Sequence, residues 1–311
     1  MVKILITGSN GQVGSEIIEF LRKTTDCNII ATDITQPKEQ IEGVQYEYMD
    51  VKERVLVEGI FRKHKPENVY HLAALLSATG EKDPVVTHNV NSTGTINILS
   101  ACVTHGVKKA FIPSTIGVYG PETPKENAPV ENYSTPTTMY GITKATSEML
   151  FKYYHSRYNL DVRSVRYPGL ISYKVEPTAG TTDFSVDMIK HAALGKKYIC
   201  YLKKETRLPM MYMPDAMSNT MKMMYQDTVK RRIYNFMSYS TSPGEMEEII
   251  RNRIPNFQVE YAPDYRQAIA ESWPASINIE DSVNDWGFNC KFDLEKTIDD
   301  MLEHYTSSHE F

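Results

Sequence analysis

Tyr140 and Lys144 stand four residues apart in Tyr140-Gly141-Ile142-Thr143-Lys144, a spacing that puts two side chains on one face of an α-helix. The pair suits proton transfer. A tyrosine with its ordinary pKa of about 10 is a poor base near neutrality, but a neighbouring ammonium favours the phenolate, and a phenolate can take the proton of an alcohol. Spacing alone is weak support: with 20 tyrosines in 311 residues, roughly one Tyr-x-x-x-Lys is expected by chance. Tyr48 and Lys52 supply that chance match, and they straddle Asp50, where a strand should end. Tyr140 instead opens a helical run that follows an apolar strand ending in two hydroxyls, Ser114 and Thr115.

Oxidising an alcohol also requires an acceptor for hydride. Gly8-Ser9-Asn10-Gly11-Gln12-Val13-Gly14 follows the apolar run 2–7 and precedes a helix-period run, Val13, Ile17, Phe20 and Leu21. The order is strand, glycine turn, helix. Such a helix start leaves unpaired N–H groups and the positive end of the helix dipole facing the turn, a seat for a pyrophosphate that the glycines let approach. A second apolar run, 27–32, ends in Asp33, about twenty residues beyond the glycines, where a carboxylate can accept hydrogen bonds from an adenosine ribose. It would repel a 2'-phosphate, and no arginine follows immediately to receive one, so the cofactor is expected to be NAD rather than NADP. Hydride would pass to NAD as Tyr140 takes the hydroxyl proton.

The elements that must hold these residues alternate. A third strand is expected at 44–48, a helix at 52–64, and a strand at 68–74 carrying His71, which reads as a hydrogen-bonded core histidine. A helix over about 84–105, a strand at 109–113, a loop at 120–138, a helix over about 139–158 and a strand at 161–167 follow. The pattern predicts an α/β fold, a Rossmann-type doubly wound parallel sheet with a smaller C-terminal α/β substrate lobe. Residues 1–170 would bind NAD and 171–311 would mainly form the lobe, across a boundary where such lobes often exchange strands with the first domain. Ser77 falls in the loop after the fourth strand, at the carboxyl edge where open parallel sheets bind ligands.

The chain is 41% hydrophobic and carries a formal charge of -5 with no Lys/Arg block, which points to a small-molecule partner and away from nucleic acid or a membrane. The four cysteines are far apart, and the eight histidines have no ligand-like spacing; no protein-bound metal is expected. The first strand begins at Val2 and no apolar run approaches membrane-spanning length, so a cytoplasmic protein without a targeting segment is expected.

Gly8-x-x-Gly11-x-x-Gly14, Asp33, Asp50-Val51, Leu72-Ala73-Ala74, Asn91-x-x-Gly94-Thr95, Ser114-Thr115-x-x-Val118-Tyr119-Gly120 and Tyr140-x-x-x-Lys144 together resemble the extended short-chain dehydrogenase/reductase superfamily over about the first 170 residues. The resemblance implies that Asp50 and Val51 hold the adenine, that Leu72, Ala73 and Ala74 line the ribose and pyrophosphate path, and that Asn91 steadies the framework on the cofactor side. It gives Thr115 the reacting oxygen, Tyr140 the acid/base role, and Lys144 the nicotinamide ribose, with Tyr167 beside the cofactor. A homodimer through the helices near 84–105 and 139–158 is implied as well.

The nucleotide-sugar epimerases and dehydratases of this superfamily usually carry Arg-Tyr-x-Asn after the sixth strand, whereas this chain reads Arg166-Tyr167-Pro168-Gly169. The stretches 75–84, 113–117, 166–173, 180–183 and 208–215, with Trp273-Pro274 and Trp286-Gly287-Phe288, are similar instead to the short-chain L-threonine 3-dehydrogenases. That family oxidises the C3 hydroxyl of L-threonine to 2-amino-3-oxobutanoate with formation of NADH, a step of threonine catabolism. Ser77, Ser114, Thr181 and Thr182 would then supply hydroxyls for the substrate's carboxylate and ammonium, and Trp273 would cover its methyl. Thr181 and Thr182 also suit a helix start. Asp183 suits it better and is left out of the site, and Trp273 also reads as a core anchor. The alternative reading is a nucleotide-sugar epimerase or dehydratase, which returns its hydride and yields no net NADH.

Overall fold

The N-terminal apolar run becomes β1 (Lys3–Thr7), an inner strand of a parallel sheet in the computed structural model, which describes residues 1–132, 135–174, 176 and 180–307. Ile4 and Ile6 pack into the core on one face of the sheet and Leu5 into the core on the other, the alternation of a strand covered on both sides. The chain continues through α1 (Gln12–Thr24), β2 (Asn28–Asp33), β3 (Val44–Tyr48), α2 (Arg54–His64), β4 (Asn68–His71), the short α3 (Ser77–Gly80) and α4 (Pro84–His88), and α5 (Gly94–Thr104). It then forms β5 (Lys109–Phe111), β6 (Ser114–Thr115), α6 (Met139–Tyr158) and β7 (Asp161–Tyr167).

The sheet order is β3-β2-β1-β4-β5-β7, extended by β11 (Ile233–Asn235), with β6 pairing β7 beyond the end of β5. This is the Rossmann order, and the direction of winding reverses between β1 and β4, where such sheets open a crevice. Register brings Thr7 opposite both Thr32 and His71. The glycine turn, Asp33 and the segment after His71 therefore emerge at one level of one edge.

Beyond β8 (Gly169–Ile171) come α7 (Phe184–Ala193), β9 (Tyr198–Cys200), β10 (Leu208–Tyr212), α8 (Met213–Tyr225), β11, β12 (Tyr239–Thr241), α9 (Pro243–Arg253), β13 (Val259–Tyr261), α10 (Arg266–Glu271), α11 (Glu280–Trp286) and α12 (Leu294–Ser307). β8, β10 and β12 form one small sheet, and β9 pairs with β13. The chain after residue 171 does not stay apart from the main sheet. β11 extends it, and Met213, Met217, Met221, Met223, Trp286 and Phe288 pack into the same core as Ile4 and Ile6.

Two departures from expectation shape the cleft. The strand expected to run to Ala74 ends at His71, because Asn91 takes the next segment: its Oδ1 accepts from Leu75 N at 2.8 Å and its Nδ2 donates to Leu75 O at 3.0 Å. The helix expected over 84–105 carries a turn of π-helix at Asn89–Thr93 between α4 and α5, and that turn holds Asn91.

Candidate active site

At the start of α1 the surface is backbone. Gly8 has a φ of +67°, and a Cβ there would fall 2.5 Å from Ala73 N; a Cβ on Gly14 would fall 2.4 Å from Gly8 O. Neither position has room for a side chain. Gly11, at the helix cap, offers no side chain to satisfy the first N–H groups, so these face the cleft that Gly8, Gly11, Gln12, Val13 and Gly14 line. A turn too tight for a Cβ at either glycine, at a helix start with open donors, fits a dinucleotide pyrophosphate.

Asp33 closes the outer end of that cradle. Its Oδ2 accepts from Asn10 N at 3.1 Å and its Oδ1 accepts from Thr35 N and Thr35 Oγ1 at 3.1 and 3.0 Å, which leaves Oδ2 room for a further donor. The Asn10 side chain donates to Thr35 O and Thr35 Oγ1 and so braces the loop. Asp50 accepts from Lys52 N, and Val51 packs so closely on Gly94 that a Cβ there would come within 2.6 Å of it. Leu72 and Ala74 line the cleft; Asn10, Asp33, Asp50, Val51, Ala73 and Asn91 lie outside its lining. Asn91 clamps the framework beside the cleft. Its amide is spent on Leu75 and on Thr143 Oγ1.

Thr138 caps α6 by accepting from Gly141 N at 3.1 Å, and the helix turns Tyr140 and Lys144 into the same cleft as Thr115. Lys144 Nζ donates to Pro113 O at 2.8 Å and sits 6.0 Å from the Tyr140 ring centre. Burial pushes the Tyr140 phenol up to about 12, with the nearby Thr115 hydroxyl acting against it, and pushes the Lys144 ammonium down to about 8, with the Glu148 carboxylate acting against it. The expected phenolate rests on the Lys144 ammonium together with the positively charged nicotinamide of bound NAD. Burial outweighs a cation held toward a carbonyl, so Tyr140 carries its proton until further positive charge enters the cleft. His71 is a core residue: its Nδ1 lies 2.7 Å from Thr7 Oγ1 and its Nε2 3.2 Å from Thr95 Oγ1, and burial drives its pKa down to about 3.

Four separated segments meet at the far end. Ser77 begins α3, Ser114 lies on β6, Thr181 and Thr182 precede α7, and Trp273 follows α10; all five line the cleft. Thr181 Oγ1 is buried with no hydrogen-bond partner, a costly state for a hydroxyl unless something arrives to meet it. Trp273 belongs to the core of the C-terminal half and also lines the cleft. Tyr167 lines the cleft as well, while its hydroxyl bonds Thr220. Ser114 is less versatile than expected, because its hydroxyl donates to Glu148 Oε1 at 2.5 Å. Asp183, expected to cap α7, makes no side-chain cap bond to that helix; its Oδ2 accepts from Gly180 N at 2.8 Å, and it lines the cleft.

Sequence reasoning missed Leu76, Pro113, Ile116, Pro168, Gly169, Leu170, Gly180 and Asp183 as lining residues. Most of them adjoin a residue that was singled out, the one signal available. Among the described residues no group of three His, Cys, Asp or Glu is placed to hold a metal ion, and no helix is long and apolar enough to cross a membrane.

A model of the NAD dependent epimerase/dehydratase family matches residues 4–236. An uncharacterised epimerase/dehydratase of Staphylococcus haemolyticus is 39% identical over 310 residues, 97% of each chain. Among solved structures, a GalE-like L-threonine dehydrogenase from Cupriavidus necator in its holo form is 40% identical with a TM-score of 0.93, over 97% of this chain and 99% of that one. A monomeric L-threonine 3-dehydrogenase from a metagenome, in its apo form, is 40% identical with a TM-score of 0.93, over 99% of this chain and 100% of that one.

Proposed function

From the premise that the chain belongs to the NAD-dependent epimerase/dehydratase family, with NAD as its cofactor, we propose that it oxidises the C3 hydroxyl of L-threonine to 2-amino-3-oxobutanoate, forming NADH, as a step of threonine breakdown. The observation that carries this reading is the floor of the cleft at Gly169. A Cβ there would fall 2.4 Å from Met210 Sδ and 2.8 Å from Thr182 Cβ. The asparagine that nucleotide-sugar enzymes carry at this point would have to displace Met210 and Thr182. What remains is a pocket of small hydroxyl side chains, suited to a zwitterion the size of an amino acid.

In this reading Gly8, Gly11, Gln12, Val13 and Gly14 hold the pyrophosphate, Asp33 the adenosine ribose, Asp50 and Val51 the adenine, and Lys144 the nicotinamide ribose. Leu72, Ala73, Ala74 and Tyr167 flank the cofactor path. Bound NAD supplies the hydride acceptor and a positive charge. Tyr140 Oη takes the C3 hydroxyl proton, and Thr115, whose Oγ1 is itself held by Gly117 N at 3.1 Å, fixes that hydroxyl. Ser77, Ser114, Thr181 and Thr182 bind the carboxylate and ammonium, and Trp273 covers the methyl and keeps water out.

The test is NADH formation with purified protein, NAD and L-threonine, beside D-threonine, L-serine and a UDP-sugar. Absorbance that grows with L-threonine and not with D-threonine supports the reading. Silence with every amino acid while NAD binds rejects it and moves the weight to a sugar nucleotide.

A homodimer through α4–α5 and α6 belongs to the same proposal. Val85, Met149 and Tyr153 on these helices are each more than half exposed, an apolar face that a second copy would cover. Sedimentation of the protein and of Met149→Glu tests it; a monomer at micromolar concentration rejects it.

A further inference from the structure

Glu148 stands four residues beyond Lys144 and eight beyond Tyr140 on α6, so the three lie along one stripe of the helix. It is buried, and so is its partner on β7: Arg166 donates through Nε to Oε1 at 2.8 Å and through a terminal nitrogen to Oε2 at 2.7 Å. The second terminal nitrogen of Arg166 is spent on Tyr119 Oη and Val130 O, both at 2.9 Å. The carboxylate is thus locked in place, and its Oε1 takes the Ser114 hydroxyl hydrogen as well.

A carboxylate in a two-pronged arginine pair accepts and has no hydrogen to return. The direction of the Ser114–Glu148 bond is therefore fixed. A serine hydroxyl in water rotates to serve a donor or an acceptor, but the Ser114 oxygen can present only lone pairs to the cleft that it lines. Across the cleft Thr181 is in the opposite condition, its hydroxyl hydrogen committed to nothing. One hydroxyl can only accept, and the other remains able to donate.

Resting on the threonine reading above, we propose that Glu148 is a positioning residue for substrate selection: acting through Ser114, it makes that hydroxyl a fixed acceptor, backed by negative charge, for the ammonium of an amino-acid substrate. Glu148 does not touch the substrate itself. The enzyme should then reject a molecule that keeps the alcohol, methyl and carboxylate but lacks the ammonium.

The probe pair is L-threonine and (R)-3-hydroxybutanoate, in which hydrogen replaces the ammonium. The readout is the ratio of kcat/KM for the two, measured for wild type, Glu148→Gln, Ser114→Ala and the double variant, with circular dichroism and NAD affinity as checks on folding. Each single variant is expected to lower the ratio about tenfold or more, mainly through a higher KM for L-threonine. The double variant should fall no further than the larger single effect, because the two act as one unit. Should Glu148→Gln fail to fold for want of a partner to Arg166, Glu148→Asp takes its place, keeping a carboxylate for the arginine while withdrawing it from Ser114. A ratio unchanged in the folded Glu148 variant, losses that add in the double variant, or a ratio that collapses only in Asp183→Asn would each overturn the proposal. A wild-type protein that leaves L-threonine unoxidised would instead refute the threonine reading, before any variant is compared.

Discussion

The two ends of the cleft are made of different material. At the cofactor end the surface is backbone from one continuous stretch, and its requirement is negative: no side chain at Gly8 or Gly14, where a Cβ would strike Ala73 N or Gly8 O. At the substrate end the surface is side chains drawn from four separated segments. Their requirement is directional, since each hydroxyl offers whatever its other bonds leave over, a lone pair at Ser114 and an uncommitted hydroxyl at Thr181. The first end depends on shape and the second on charge and hydrogen-bond direction. A substitution at one should therefore fail differently from a substitution at the other.

The sharpest test separates chemistry from both. Tyr140→Phe removes one oxygen and leaves the packing, so turnover should fall by about 10³-fold, within the range for loss of an acid/base group, while NAD affinity stays within about twofold of wild type as read by fluorescence titration. Equal loss of NAD binding would erase the distinction between the two ends.

Burial of Lys144 predicts the next largest effect, and it appears in stability. Its folded pKa of about 8 lies below the ordinary 10.5. Between those values the unfolded chain binds more protons than the folded one, so folding stability rises with pH across that window, and the cost is present in full below it. A shift of this size corresponds to about 3 kcal/mol. Lys144→Met abolishes the titration, so the difference in unfolding free energy between variant and wild type should shrink by about 3 kcal/mol from pH 7 to pH 10.5 in urea titrations. A constant difference would mean that the ammonium is solvated in the folded protein. Turnover should be lost throughout, the fold giving up stability for a cation that the proposed chemistry needs.

At the backbone end, Gly14→Ala forces the turn to shift by the width of a methyl group. NAD affinity should weaken by about 30-fold, or about 2 kcal/mol, and KM for L-threonine at saturating NAD should stay near wild type. A rise in that KM without loss of NAD affinity would show that the turn serves the substrate end.

The same contrast explains what could be read in the sequence. The strand, turn, helix and Asp33 were legible because they are local: the glycines, the apolar run and the Asp33 carboxylate follow one another along the chain, and the alternation after them fixed the sheet. The ends of elements were less legible. Leu72-Ala73-Ala74 continues an apolar run, and only the distant amide of Asn91 decides that β4 stops at His71. Asp50 likewise delays α2 to Arg54 by accepting from Lys52 N. The substrate residues carry no local pattern, since Ser77, Ser114, Thr181 and Trp273 meet through the fold alone and were picked out by resemblance and position. Asp183 failed as an expected helix cap because Gly180 N, three residues back, takes its carboxylate. Glu148 was not picked out: it follows Tyr140 and Lys144 at four-residue spacing, but nothing along the chain points to Arg166 on another strand.

The smallest effect is the most diagnostic of the substrate end. Thr181→Val replaces a hydroxyl by a methyl of similar shape at a site where the hydroxyl is buried and unmet. A buried polar group without a partner costs about 1–3 kcal/mol, so the valine variant should unfold about 1 kcal/mol later in urea than wild type. If that hydroxyl waits for the substrate carboxylate, its loss removes a hydrogen bond to a charged group, and KM for L-threonine should rise by about tenfold. NAD affinity should not move. Stability gained with KM unchanged would mark Thr181 as a packing defect; stability gained with KM raised would show a side chain kept unsatisfied for its ligand, the condition that the backbone end never needs.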